Sequence, residues 1–146
     1  MPAEQTMPTE NEPATVPTTA FPDPFQPGSR PRPDLVVHTR LTDAGAAVCA
    51  LAGDLDIETL EPARNALHDL VRRRPPLLVV DLGHVDFCDS SGLNLLLQTR
   101  MATIAADVGF RLAAPSAMVL RLLELTCADS VFSLHPSVDA ALAAPL

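Results

Sequence analysis

The sequence predicts an α/β domain, a sheet with helices packed against it, in the order β-β-α-β-α-β-α-β-α. Three observations carry that prediction. After one hairpin-like pair of apolar runs, short strand-like segments alternate with helix-length segments whose apolar residues recur every three or four positions. Leu77-Leu78-Val79-Val80 is a continuous apolar run, the pattern of a strand covered on both faces at the centre of a sheet. The prolines are unevenly placed: nine of the 15 fall between Pro2 and Pro33. That asymmetry divides the chain into a leader, residues 1–33, and a globular remainder, residues 34–146. The leader alternates Pro, Thr, Glu and Ala with few branched apolar residues. It cannot bury enough surface to offset its ordering entropy, so disorder is expected there.

The elements follow in order. Leu35-Val36-Val37 opens an apolar run ending near Arg40, Thr42-Asp43-Ala44-Gly45 is turn material, and Ala46 to Leu51 is apolar again. Two such runs around a glycine turn read as a β-hairpin, broken by Gly53-Asp54. Ile57, Leu60, Ala63, Leu67 and Leu70 lie on one face of a helix, with Asp56 as its expected N-cap. Arg72-Arg73-Arg74 suits the negative end of that helix dipole, and Pro75-Pro76 stops it. The central strand is expected to end at Asp81. A second helix follows Asp89-Ser90-Ser91-Gly92, with an expected inner face of Leu93, Leu97, Met101, Ile104 and Val108, Leu96 on its flank, and Gly109 as its stop. Phe110–Ala113 reads as a strand, and Pro115-Ser116 opens a third helix carrying Val119, Leu122, Leu123 and Leu125. Val131-Phe132 reads as a short strand or extended piece, and Pro136-Ser137 opens a last helix through Leu142.

Composition excludes several function classes. The remainder from Asp34 carries fourteen Asp or Glu against eight Arg, and the whole chain has a formal charge of −8. No basic patch is present to hold a phosphate backbone, so direct nucleic-acid binding is not expected. No apolar run approaches the roughly 20 residues needed to cross a bilayer, and the N-terminus lacks the pattern of a signal peptide. The expectation is a soluble cytoplasmic protein without membrane insertion. Cys49, Cys88 and Cys127 are isolated from one another and from any His at a zinc-like spacing, which predicts buried, reduced thiols and no metal site. The chain has no Lys and no phosphate-binding glycine loop, and it lacks a Gly-x-Ser-x-Gly elbow. His38, His68, His84 and His135 are scattered, and nothing in their spacing pairs one with a serine. Spacing leaves paired-carboxylate chemistry open, but Asp54, Asp56, Asp81, Asp86 and Asp89 read first as caps, turns and surface residues. No catalytic residue and no cofactor is expected.

One segment concentrates chemistry: Val85-Asp86-Phe87-Cys88-Asp89-Ser90-Ser91-Gly92-Leu93. It follows the central strand and opens a helix, where unpaired backbone N–H groups and the dipole favour negative charge. A serine hydroxyl lies at that end, and Gly92 permits close approach. The plain alternative is that Asp-Ser-Ser-Gly is an N-cap and nothing more.

The residues also carry a family resemblance. Leu51-Ala52-Gly53-Asp54-Leu55-Asp56 resembles the L-x-G-E/D-L-D motif of STAS domains, specifically the bacterial anti-sigma factor antagonists. Asp81-Leu82-Gly83-His84-Val85-Asp86-Phe87-Cys88-Asp89-Ser90-Ser91-Gly92-Leu93 resembles their signature, D-L-x-x-V-x-F-x-D-S-S/T-G-L. Leu112-Ala113-Ala114-Pro115-Ser116, then Val119 and Leu122 to Thr126, resembles their closing strand and helix. Cys88 stands where the family often has Met, a conservative apolar change. The resemblance spans about Leu35 to Leu142 and rests on three motifs in order.

It implies a four- or five-stranded mixed sheet with helices mainly on one face. It also implies a regulatory function. The unphosphorylated antagonist binds an anti-sigma factor that is also a serine kinase with a histidine-kinase-like ATPase fold, and so frees the sigma factor. The kinase phosphorylates the serine after the signature Asp, which is Ser90 rather than Ser91, and the complex parts. A phosphatase resets the cycle. The implied binding face is Gly53, Asp54, Asp56, Asp89, Ser90, Ser91, Gly92 and Leu93. A phosphate there adds roughly −1.5 to −2 charge; helix N–H groups are expected to tolerate it within the chain while a partner surface would not. The alternative within the family is a STAS adaptor of an ABC-type lipid transporter or a scaffold of a stress-signalling complex.

Overall fold

A computed structural model describes residues 35–145. The Pro-rich leader and its expected disorder lie outside the described residues. Five strands and four helices form: β1 (Val36–Leu41), β2 (Ala47–Leu55), α1 (Leu60–Arg72), β3 (Leu77–Cys88), α2 (Ser90–Ala106), β4 (Gly109–Ala113), α3 (Ala117–Leu125), β5 (Leu134–His135) and α4 (Val138–Ala143), with a 3-10 turn at Ala128–Ser130. The sheet order is β1-β2-β3-β4-β5. β1 and β2 form the expected antiparallel hairpin, and the other neighbours are parallel. This is the mixed sheet that the resemblance implies.

Side-chain alternation along the strands builds two apolar layers. Cys49 and Leu51 of β2, Leu78, Val80 and Leu82 of β3, and Leu112 of β4 face α1, α2 and α3. Val48, Leu77, Val79 and Ala113 face the other way and pack with Ala141, Val138 and Leu142 of α4. Three helices thus cover one face and one short helix the other. Arg111 is the charged member of that second face. It is 8% exposed, and its guanidinium donates to the carbonyls of Ala141 (2.6 Å), Ala144 (2.7 Å) and Pro145 (2.5 Å). Those are the acceptors that the end of α4 leaves unpaired within the helix, so the buried charge and the helix terminus satisfy each other.

Five local expectations need correction. The Asp56 carboxylate caps a turn rather than a helix: it accepts from the backbone N–H of Glu58 (2.9 Å) and Thr59 (3.1 Å). That turn delays α1 to Leu60 and leaves Ile57 69% exposed instead of on the inner face. β3 runs on past Asp81 to Cys88, paired there with β2 alone. Beyond that point it buries Leu82, Val85 and Cys88 at a spacing of three, because register shifts against β2 fall between Ala50 and Ala52 and between Gly53 and Asp54.

α2 buries Gly92, Leu93, Leu95, Leu96, Thr99 and Thr103, and leaves Met101 and Ile104 68% and 62% exposed. The two threonines can face inward because the helix itself satisfies them: Thr99 Oγ1 donates to the Leu95 carbonyl (2.8 Å) and Thr103 Oγ1 to that of Arg100 (2.7 Å). α2 ends at Asp107, not Gly109. Asp107 takes the left-handed conformation (φ 62°), the Val108 N–H returns to the Thr103 carbonyl (2.8 Å), and Gly109 begins β4. Val131-Phe132 is not a strand. The 3-10 turn carries the chain past it, Phe132 is buried edge-on against Phe110, and β5 forms two residues later.

The three arginines behave as helix-end residues. Arg73 lies at the C-cap of α1 and pairs with Asp69 (3.1 Å), while Arg74 reaches the Ala106 carbonyl at the end of α2 (3.5 Å).

Candidate functional site

The candidate site is built where β2 and β3 end side by side. Their parallel register sets Gly53 beside Val85, Asp54 beside Phe87 and Leu55 beside Cys88. Gly53 takes φ +110°, a conformation open to glycine and strained for other residues. A shift in register against β3 falls between Gly53 and Asp54. Thr59, buried at the start of α1, ties the turn down: its hydroxyl donates to the Asp54 carbonyl (2.6 Å). The Asp89 N–H donates to the Leu55 carbonyl (3.3 Å), which joins the start of α2 to the end of β2.

Asp89 is the N-cap of α2. Its carboxylate accepts from the N–H of Ser91 (2.8 Å) and Gly92 (3.2 Å), and the Leu93 N–H donates to its carbonyl (3.0 Å). Capping therefore falls entirely to Asp89. The Ser90 hydroxyl is exposed and has no hydrogen-bond partner among the described residues. The capping explanation accounts for Asp89 and leaves Ser90 over.

Gly92 is held by contact rather than by dihedral angle. A Cβ there would lie 2.7 Å from Cys88 Sγ, 2.8 Å from the Leu55 carbonyl oxygen and 2.9 Å from Leu55 Cγ. The first turn of α2 is thus pressed onto the ends of both strands. Gly92 and Leu93 are buried, Ser91 is half-buried, and Gly53, Asp54 and Asp56 are half-buried at the rim. Burial pushes the Cys88 thiol up to about 11, with a smaller contribution from the adjacent Asp89 charge. It is a packed thiol rather than a reactive one; Cys49 is buried too, but Cys127 is exposed, against the expectation that all three are buried.

Two apolar side chains on this end were not expected in the binding face. Ile57, in the β2–α1 turn, is 69% exposed, and Phe87, at the end of β3, is 44% exposed. No local pattern marked Phe87: the strand was expected to end at Asp81, and the exposure of Phe87 follows from the burial spacing of three in the extension of β3.

Charge is one-sided here. Residues 53–59 and 84–93 carry five carboxylates, those of Asp54, Asp56, Glu58, Asp86 and Asp89, and neither Lys nor Arg. Two of the N–H groups at the start of α2, those of Ser91 and Gly92, already serve the Asp89 carboxylate. A phosphate on Ser90 would add negative charge to an acidic surface.

Other chemistries find little support in the geometry. Ser133 Oγ and His135 Nε2 are hydrogen-bonded (2.9 Å), but that pair lies at β5 and does not involve Ser90 or Ser91. A depression of about 580 Å³ lies between Gly83, Ala114, Ser116 and His135, and its lining includes neither Asp89 nor Ser90. Among the described residues no cluster of three or more His, Cys, Asp or Glu is placed to hold a metal, and no helix is long and apolar enough to cross a membrane.

Comparisons with known proteins agree with this architecture. The family model for the STAS domain matches residues 36–141. Anti-sigma-F factor antagonist RsfB of Mycobacterium tuberculosis is 31% identical over 110 residues, which cover 75% of this chain and 89% of that protein. The crystal structure of an anti-sigma factor antagonist from Mycobacterium paratuberculosis superposes with a TM-score of 0.69 at 31% identity, covering 75% of this chain and 92% of that one. The unphosphorylated form of the anti-sigma factor antagonist SpoIIAA superposes with a TM-score of 0.62 at 18% identity over 73% of this chain and 93% of its own, a likeness of fold. By its motifs, its sheet and these relatives, the chain belongs to the STAS domain family.

Proposed function

We propose that this chain is an anti-sigma factor antagonist and that Ser90 is its phosphorylation switch. The unphosphorylated chain binds an anti-sigma factor that is also an ATP-dependent serine kinase, and the sigma factor is released. Transfer of the ATP γ-phosphoryl group to Ser90 Oγ dissociates the complex, and a phosphatase restores the hydroxyl. The chain itself acts as ligand and substrate rather than as enzyme, and this cycle belongs in the cytoplasm. The M. tuberculosis and M. paratuberculosis relatives, both named as antagonists, support the first part of this reading.

The observation that carries the second part is the division of labour at the start of α2. Asp89 does all the capping, so the exposed Ser90 hydroxyl is spare and a kinase can reach it without unravelling the helix. The exposed parts of Asp54, Asp56, Asp89, Ser90 and Ser91 then form the binding face, with Ile57 and Phe87 as apolar contacts. Gly53, Gly92 and Leu93 shape that face from beneath. Phosphorylation acts by charge. No cation of the two site segments is available to pair with the phosphate, so its desolvation against a partner goes uncompensated.

Calorimetric titration of the host's anti-sigma factor kinase tests this. Wild type and Ser90→Ala should bind alike, and Ser90→Asp should bind at least about tenfold more weakly, a difference of about 1.4 kcal/mol. Equal binding by Ser90→Asp would overturn the switch.

A further inference from the structure

α2 is apolar on two sides. One side is the buried face; the other holds Met101 and Ile104, largely exposed, with Leu97 half-buried at the border, packed against the core. These three continue a line that begins at Ser90: Ser90, Asn94, Leu97, Met101 and Ile104 are spaced by alternating steps of four and three. At 1.5 Å per residue the line is about 21 Å long. That spacing is the seam of two helices packed side by side, with a single Asn at a position where a polar residue sets register.

Charge points to what covers the seam. The only charged residue of α2 is Arg100, beside Met101, and no carboxylate among the described residues pairs with it. Between its caps Asp89 and Asp107, α2 carries no carboxylate, so two copies packed in register along the stripe would set Arg100 against a second Arg100 or against Asn94. A partner helix with its own carboxylate would.

We propose that this outer stripe of α2 is a docking seam for an amphipathic, acid-bearing helix of the same anti-sigma factor that engages Ser90. The inference rests on the reading above that the Ser90 end is the partner-binding face, and it extends that face along the helix. The partner then holds the chain at two places. The Ser90 end senses phosphorylation, and the Met101–Ile104 end supplies affinity that phosphorylation does not touch. Met101 lies about 16 Å from Ser90 along the axis, far enough for the two contributions to act independently.

The test is a titration of the host's anti-sigma factor kinase with wild type, Ser90→Asp, the double variant Met101→Ser/Ile104→Ser, and Arg100→Glu. Met101 and Ile104 are exposed, so the double variant should keep the wild-type melting temperature. It should bind about tenfold more weakly or worse, Arg100→Glu should also weaken binding, and combining the double variant with Ser90→Asp should multiply the two fold-changes. Wild-type affinity in both the double variant and Arg100→Glu, with Ser90→Asp still weak, would overturn the seam and leave the switch standing. Failure of wild type to bind would overturn the switch and the seam together. A wild-type dimer in sedimentation that the double variant abolishes would assign the stripe to a second copy of this chain, against the proposal.

Discussion

Gly92→Ala is the substitution whose consequence the structure sets most tightly. On helix propensity alone it should stabilise α2 by up to about 1 kcal/mol. The packing opposes this. The added methyl would stand 2.7, 2.8 and 2.9 Å from Cys88 Sγ, the Leu55 carbonyl oxygen and Leu55 Cγ. None of the three is a flexible end that swings away. Cys88 is 2% exposed, Leu55 is fully buried, and the carbonyl belongs to the strand that accepts the Asp89 N–H. Relief therefore requires the start of α2 to lift from the ends of β2 and β3. Overpacking costs about 1–3 kcal/mol, and three contacts under 3.0 Å place this site at about 2–3 kcal/mol of that range, so after the propensity gain the net expectation is a loss of about 1–2 kcal/mol. In a domain of this size that lowers the melting temperature by several degrees. Thermal and urea unfolding followed by circular dichroism measure it. An unchanged or raised melting temperature would show that α2 does not press on the strand ends as described.

Further predictions follow from the same end of the molecule and from two buried groups. Asp89→Ala removes the acceptor of two N–H bonds and should cost about 0.5–2 kcal/mol, whereas Ser90→Ala should leave urea stability nearly unchanged; the reverse order would make Ser90 the cap. Arg111→Met leaves the carbonyls of Ala141, Ala144 and Pro145 without their donor, so hydrogen exchange of α4 should accelerate, and unchanged protection would refute the clamp. Burial holds Cys49 near 12 and Cys88 near 11, above the ordinary value of 9.0 expected once the chain unfolds. Above about pH 9 the unfolded state loses these protons first, so stability should fall as pH rises through about 9 to 12. A thiol reagent at neutral pH should modify the exposed Cys127 rapidly and the other two only on unfolding.

Much of this was legible in the sequence because it depended on local chemistry. The hairpin turn, the central apolar run, and the helix starts around Asp89, Ser116 and Ser137 all rest on residues within a few positions of each other. What was hidden depended on partners far along the chain. The register shifts of β2 changed the burial period of late β3, and a periodicity reading cannot see a bulge in the neighbouring strand. The inner face of α2 was misplaced because the helix has two apolar stripes of similar strength, and the deciding residues were Thr99 and Thr103, polar in sequence and satisfied only once the helix forms. Ile57 fitted a helical spacing, but the Asp56 carboxylate stabilises a turn that removes it from the helix. For the site, motif position singled out Ser90. Only the geometry showed that the Asp89 carboxylate uses both nearby N–H groups, which changes how a phosphate would act there.

The most direct test of the central claim is to incubate the chain with the host's anti-sigma factor kinase and ATP and to map the product by mass spectrometry. One phosphate is expected, on Ser90, absent from Ser90→Ala, with release of the kinase as it accumulates. A phosphate on Ser91, or a complex that persists when Ser90 is fully phosphorylated, would contradict it.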